Sequence, residues 1–252
     1  RTESEVTAVD TAGKTVTVRH GEETYKESYD RLVLSPGAAP IRPAIPGIEE
    51  NKVFTLRNIP DTYRIYDHIK ETAPRSCAVI GAGFIGLEMA ENLAERGVHV
   101  TVVEGASHVM PPIDMDMAHQ VHNYIRAQGI DLYLGQTCTA MDKDGVILKD
   151  GRKIPADMVI LSIGVRPDTG FLKDSGIELG ARGEILVNSY METSAPDVYA
   201  LGDAASVRHI VSGKQVLIPL ASPANKQGRI VGDNLCGRKT AYKGSQGTSI
   251  MK

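Results

Sequence analysis

Residues Cys77 to Glu91 read CAVIGAGFIGLEMAE, and no other stretch limits the fold of this chain so tightly. An apolar run leads into Gly81, Gly83 and Gly86, and a helical pattern follows without a break. In a strand–turn–helix of this kind, Gly81 permits the tight turn. Gly83 lets the backbone approach a pyrophosphate, and Gly86 lets helix and strand pack closely. The helix start, where Phe84 and Ile85 stand, offers free N–H groups and the positive end of the dipole to an anion. Spacing of this kind alone is weak evidence, so the surroundings matter. The next strand, Val98 to Val103, ends at Glu104, an acid placed to accept bonds from the adenosine ribose hydroxyls. The same charge repels a 2′-phosphate by about 4 kcal/mol at contact in partly screened surroundings. The six residues after it, GASHVM, hold no Lys or Arg to offset that repulsion, and only His108 softens it. NADH is therefore the expected nucleotide, ahead of NADPH.

Periodicity places the turn in a larger frame. Apolar residues recur at helical spacing from Asn58, through Ile59, Tyr63, Tyr66 and Ile69, until Pro74. A helix is expected over Phe84–Arg96 with Ile85, Met89 and Leu93 on one face, stopped by Gly97, and another over Met115–Gln128, stopped by Gly129. Strands are expected at Ser76–Ile80, Val98–Val103 and Ile130–Leu134. This β-α-β-α-β order within about sixty residues calls for parallel strands and a doubly wound α/β unit. GVILKDGRKI reads as a hairpin about Asp150-Gly151, and ADMVILSIG as a buried strand.

The flanks differ. Val6 and Ala8 alternate with Glu5, Thr7 and Val9, and Val16 and Val18 alternate with Thr15 and Thr17, which predicts strands joined by a turn at Gly13. Tyr29–Leu34 is a short buried strand closed by Ser-Pro-Gly. Pro36, Pro40, Pro43 and Pro46 make the next stretch a stiff connector. GEILVN and APDVYALGD are further strands. Ser222-Pro223 opens a last helix, Ser as cap and Pro in the first turn, with Ala224, Gly228, Val231 and Leu235 facing one way. Neither flank is long enough for its own core. The expected layout is an α/β unit over 53–170 inserted into one discontinuous domain made of 1–52 and 171–252.

With 252 residues, a net charge of −3 and no Lys/Arg-rich run, nucleic acid and anionic membranes are poor partners. No apolar stretch nears the roughly 18 residues that span a bilayer. Cys77, Cys138 and Cys236 form no Cys-x-x-Cys pair, so they read as reduced thiols, consistent with a cytoplasmic setting. His119 and His122, three apart on a helix, are too few for a metal and read as a solvated face. The chain opens RTESEVTAVD, inside a strand pattern, which suggests a piece of something longer.

Three stretches, LVLSPGAAPIRPAIPG, VILSIGVRPDTGFLKDSGI and SAPDVYALGDAA, resemble signatures of the pyridine nucleotide-disulfide oxidoreductase family. The nearest branch holds coenzyme A-disulfide reductase, NADH oxidase and NADH peroxidase. The resemblance runs over nearly the whole chain. It implies an FAD domain interrupted by an NAD domain, with Ser35, Pro36 and Gly37 lying along FAD. It also implies that Gly202 and Asp203 form the second FAD motif, with Asp203 on the ribityl chain, and that Gly164 stands beside NAD. Glu88 would sit at the flavin–nicotinamide contact, and Asn225 and Arg229 would be substrate candidates on the last helix. The implied cofactors are FAD and NADH. The implied reaction carries hydride from NADH to flavin, then electrons to a low-molecular-weight disulfide or to oxygen or peroxide. The redox cysteine, the first FAD glycine turn and a C-terminal domain through which the parent would form a homodimer are expected outside these residues. Two other readings stay open: a cysteine-free ferredoxin or rubredoxin reductase-type flavoprotein, and a non-catalytic NAD-binding module that senses redox state.

Overall fold

The computed structural model describes residues 2–49 and 52–250. Contacts divide the chain into two compact units, 40–165 and 1–39 with 166–252.

The first unit is built on a five-stranded parallel sheet. Its order is Val53–Phe54, Met158–Leu161, Ser76–Ile80, His99–Glu104, Asp131–Leu134. Alternation along each strand feeds two different cores. Cys77, Val79, Val100, Val102, Met158 and Ile160 face one cluster, together with Ile65, Ala90, Leu93 and Ile125 from helices. Ala78, Ile80, Val103, Val159 and Leu161 face a second cluster. That second cluster is completed by Met141, Val146, Leu148 and Ile154 of a three-stranded antiparallel sheet, Cys138–Asp142, Gly145–Leu148 and Lys153–Pro155. A sheet covered on both sides needs strands that are apolar throughout, which is why CAVI and MVIL carry no alternation. The hairpin about Asp150-Gly151 forms as read, with Gly151 at φ +85°.

Three helices belong to this unit: α1 (Ile59–Thr72), α2 (Phe84–Glu95) and α3 (Met115–Ala127). Their buried faces differ in part from those expected. On α1 the buried residues are Asp61 and Ile65, while Ile59, Tyr63 and Tyr66 are exposed. On α2, Gly86, Ala90 and Leu93 turn inward and Ile85 is exposed. At Gly86 there is no room for a side chain, and Ile85 stands outside, while Leu93 is buried further along the helix as expected. On α3, His122 is buried with Ala118 and Ile125, against the expectation of a solvated face, while His119 is exposed.

The proline-rich connector belongs to this unit. Pro46 O accepts a 2.8 Å bond from Met141 N, and Ile45 and Ile48 pack in the second core cluster. The boundaries consequently fall at 39/40 and 165/166 rather than at 52/53 and 170/171.

In the other unit, strands Ser4–Asp10, Thr15–His20 and Glu23–Ser28 form an antiparallel sheet. A register shift between Val6 and Ala8 turns Val9 inward and leaves Val6 exposed, reversing the expected face. Strand Leu32–Leu34 pairs in parallel with Val198–Ala200. This ties the first segment of the unit to the last. Helix α4 (Ala221–Leu235) starts from Leu220, not Ser222, and has no side-chain cap. Pro223 still lies in its first turn, where a missing N–H costs nothing. Its buried residues are Pro223, Gln227 and Val231.

Helix α1 is held at its start by a reciprocal cap. Asp61 N donates to Asn58 Oδ1 at 2.9 Å, and Asp61 Oδ2 accepts from Arg57 N at 2.8 Å and Asn58 N at 3.2 Å. Burial pushes the Asp61 carboxyl up. Its bonds from Arg64, Arg57 and Asn58 outweigh that and hold it below its ordinary 3.8. The stability this contributes is present at neutral pH and is lost as pH falls through the lowered value. Asp61→Ala is expected to cost about 2 kcal/mol, read as a lower Tm at pH 7. An unchanged Tm would show that the cap contributes nothing.

Candidate functional site

The sheet order places Ser76–Ile80 between a strand that follows it in the chain by one crossover, His99–Glu104, and one that comes much later, Met158–Leu161. Such a reversal opens a crevice at the carboxyl ends of the strands. A cavity of about 640 Å³ lies there, and Gly81, Gly83, Glu104, Gln136, Ser162 and Gly164 are among its lining residues.

The three glycines do different work. A Cβ on Gly81 would come within 2.5 Å of Ser162 O, and Gly81 has φ +103°. A Cβ on Gly86 would collide with Gly81 O and meet Ser162 Oγ at 2.6 Å. These two set the closeness of α2 to the sheet. A Cβ on Gly83 would meet nothing within 4 Å, so Gly83 leaves open space at the start of α2. Gly83 is also the residue that precedes α2, which has no side-chain cap. The first N–H groups of the helix thus lack the acceptor that such a position often has. Phe84 and Ile85 follow, 38% and 41% exposed. Ser162 Oγ lies 3.0 Å from Ile80 O and 2.9 Å from Gly81 O, so its hydroxyl proton braces the turn from below.

Glu104 is tied into the same turn. One carboxylate oxygen accepts from Ala82 N at 2.7 Å and the other from Ala106 N at 2.8 Å. Ala82 is held on its other side as well, since its carbonyl accepts from Met110 N at 2.9 Å. A carboxylate offers about four acceptor positions, so two remain for a ligand. Gln136 Oε1 is buried and has no hydrogen-bond partner in the structure. A lone acceptor in the wall of a cavity suits a ligand that brings a donor. Gly164, at φ +114°, lines the same cavity, and its carbonyl accepts from Ile41 N at 3.0 Å. Glu88 stands on the exposed side of α2, with its carbonyl bonded to Asn92 Nδ2 at 2.8 Å.

The second group of residues lies in the other unit. Ser35 and Pro36 line a cavity of about 660 Å³ together with Leu34 and Asp168. Gly37, at φ +73°, accepts a 3.0 Å bond from Asp168 N. Gly202, at φ +77°, is buried and sits where a Cβ would lie 3.5 Å from Ser35 Oγ. Asp203 follows in the same turn, at the carboxyl end of Val198–Ala200. Gln227 escaped the sequence reading. It is 1% exposed, and its Oε1 accepts from Gly202 N at 2.7 Å. Pro223, Gln227 and Val231 recur every four residues, so the inward stripe of α4 was there to be read with a polar member in it. Asn225 and Arg229 are exposed on α4 and do not line the cavity at Ser35 and Pro36.

Burial pushes the Cys77 thiol up to about 12, and burial raises Cys138 too. In both, burial disfavours the thiolate. Cys236 is exposed where α4 ends. Among the described residues no helix is long and apolar enough to cross a membrane, and no cluster of three His, Cys, Asp or Glu could hold a metal ion.

The family model described as pyridine nucleotide-disulphide oxidoreductase matches residues 1–228. Coenzyme A disulfide reductase of Staphylococcus aureus is 35% identical over 255 residues, which take in 100% of this chain and 58% of that protein. The crystal structure of reduced Bacillus anthracis CoADR-RHD superposes with a TM-score of 0.96 at 49% identity, covering 99% of this chain and 46% of the other. The water-forming NADH oxidase from Lactobacillus brevis, bound to NADH, gives 0.91 at 36% identity, with 98% of this chain and 55% of the other covered. The chain thus spans about half the length of the relatives it matches.

The glycine geometry predicts two different outcomes. Gly86→Ala is expected to lower stability by about 1–3 kcal/mol through overpacking, measured by urea unfolding. Gly83→Ala is expected to fold with a loss below about 1 kcal/mol. Equal losses would show that the two glycines do not divide the work in this way.

Proposed function

The chain belongs to the pyridine nucleotide-disulphide oxidoreductase family, and from that premise we propose that it holds the nicotinamide-nucleotide site and part of the flavin site of an NADH-dependent FAD oxidoreductase. The proposed substrate is a low-molecular-weight disulfide of the coenzyme A type. The observation that carries this reading is the cavity at Gly83: open backbone at a helix start, one carboxylate beyond it, and an unpartnered acceptor in its wall.

Each group has a part for which its geometry is suited. Gly83 and the first N–H groups of α2 would receive the pyrophosphate, because the dipole and the absent Cβ favour an anion close to the backbone. Glu104 would use its two remaining acceptor positions on the adenosine ribose and would repel a 2′-phosphate. Gln136 Oε1 would accept from an adenosine donor, which is the partner it lacks. Gly164 would carry the chain past the nicotinamide half without a side chain. In the other unit, Ser35, Pro36, Gly37, Gly202 and Asp203 would lie along FAD. Asp203 would accept from ribityl hydroxyls, and Gln227 would fix the turn that presents it. Glu88 would stand at the flavin–nicotinamide contact, and the start of α4 would place its positive end toward the flavin. When bound, FAD and NADH supply the hydride transfer, and the protein supplies orientation and field.

The disulfide arm of this reading needs a reactive thiol. Cys77 and Cys138 are buried with raised pKa values, so that thiol would come from parts of the protein outside this chain. Reduction of oxygen to water is the second reading. It is favoured by the NADH-bound oxidase among the similar structures.

Titration of the protein with NADH and NADPH tests the nucleotide site. Wild type is expected to bind NADH more tightly, and Glu104→Gln to narrow the preference by about tenfold, with folding checked by Tm. An unchanged preference would remove Glu104 from the site. With the full-length protein, NADH consumption driven by coenzyme A disulfide in the absence of oxygen supports the disulfide reading. Consumption that requires oxygen supports the oxidase.

A further inference from the structure

The segment 105–113 joins Glu104 to α3 and closes one side of the nucleotide cavity, to which it contributes Gly105 and Pro111. It has no regular secondary structure, yet its middle is among the most buried parts of the protein. Val109 is 0% exposed and Met110 2%. Met110 takes a left-handed conformation, φ +53°, which a side chain of that size rarely adopts. A backbone in such a state persists only where its surroundings hold it. Three bonds do so. Ala106 N donates to Glu104, Met110 N donates to Ala82 O inside the glycine turn, and Val109 N donates to His122 Nε2 at 3.2 Å. The first two belong to the turn and its acid. The third comes from α3, from an imidazole that is itself 4% exposed.

We propose that His122 is the positioning residue of the nucleotide cavity. Its unprotonated Nε2 holds the 105–113 segment in the shape that completes the cavity and clamps Ala82. The proposal rests on the reading of that cavity as the NAD(H) site. His122 touches no ligand in this account and acts through Val109 and Met110. Accepting from Val109 N requires a bare Nε2, with the proton of the neutral ring on Nδ1. A second proton would go to Nε2 and set two donors against each other in a buried place. The charged and titratable groups that face the ring are Arg126 and His119 on α3 and His108 on the segment itself. The His119 ring centroid is 5.7 Å away. Burial, then Arg126, His119 and His108, lower the His122 pKa from its ordinary 6.5. With a depressed value the hold is intact above about pH 6.5 and is lost on acidification through the lower folded-state pKa.

The test is NADH affinity as a function of pH for wild type, His122→Gln and His122→Leu. It is joined to NMR of the ¹⁵N-labelled chain, which reports the His122 tautomer and the Val109 amide. The Gln amide oxygen reaches the place of Nε2 and does not titrate. Wild-type affinity is expected to be level at pH 7–8 and to weaken on acidification. His122→Gln is expected to bind within about twofold of wild type at pH 7.5 and to lose that acid weakening. His122→Leu is expected to bind about tenfold more weakly at every pH, since Val109 N loses its acceptor. The Val109 amide should shift with the same midpoint as the His122 ring, which should carry its neutral proton on Nδ1. Acid weakening retained in His122→Gln, wild-type affinity in His122→Leu, or an Nε2 proton at neutral pH would each overturn the proposal. Should His122→Leu fail to fold, the Gln variant and the tautomer decide alone. Absence of NADH binding by wild type would defeat the nucleotide reading and the affinity claim with it. The tautomer and Val109 shifts would then decide separately whether His122 holds the segment.

Discussion

The closeness of α2 to the strand before it governs the rest of the cavity at Gly83 and Glu104. Gly86 stands against the Gly81 carbonyl with no room for one more carbon. That contact brings the start of α2 over the strand end, where Gly83 leaves an opening and Glu104 can reach Ala82 N. A helix set one methyl group further out would move its first N–H groups away from the strand ends and lengthen the Glu104 bond. The cavity is a consequence of packing at two glycines, and the third glycine is the one that leaves open space.

The parallel order was legible because each strand runs to its turn without a polar interruption, and because Gly81, Gly83 and Gly86 mark one strand–helix junction. Ser76–Ile80 has the bounds the sequence implied, and the hairpin at Asp150-Gly151 is in place. Helix existence was readable, whereas helix faces were readable only in part: Leu93 and Val231 are buried as expected, and Ile85 and Tyr63 are not. On α1 the aromatic residues at spacings of three and four are the outer face, since a cap formed by Asn58 and Asp61 fixes which side the helix turns to the sheet. On α2 the partner is the sheet at close range, and at Gly86 there is no room for a side chain. Periodicity counts apolar side chains and cannot register either effect.

The buried polar residues were the harder part. Gln227, His122 and Gln136 look like surface residues in a sequence, and each has a reason to be inside. Gln227 accepts from Gly202, whose turn points its N–H away from any strand partner. His122 accepts from a segment with no regular structure. Gln136 Oε1 has no protein partner at all. The first two repair backbone groups that irregular segments leave over, a need visible only once the path of the chain is known. The third is of another kind, because burying an acceptor without a donor costs free energy unless something else brings one. An acceptor satisfied within the fold and one left without a partner differ in that respect, and the difference separates Gln227 from Gln136.

Glu104 belongs to both kinds, and this bears on what its replacement would do. One carboxylate fastens Ala82 and Ala106 through two backbone bonds while it keeps two acceptor positions toward the cavity. Its charge is what disfavours a 2′-phosphate, and its shape is what sets the glycine turn. A cation in its place could accept from neither amide, leaving the N–H groups of the buried Ala82 and the half-buried Ala106 without this acceptor. Ala82 would then hang on Met110 N alone, and through Met110 on the segment that His122 secures. Replacing Glu104 therefore disturbs the turn as well as the charge beside it, and a substitution there calls for compensating changes in the segment 105–113.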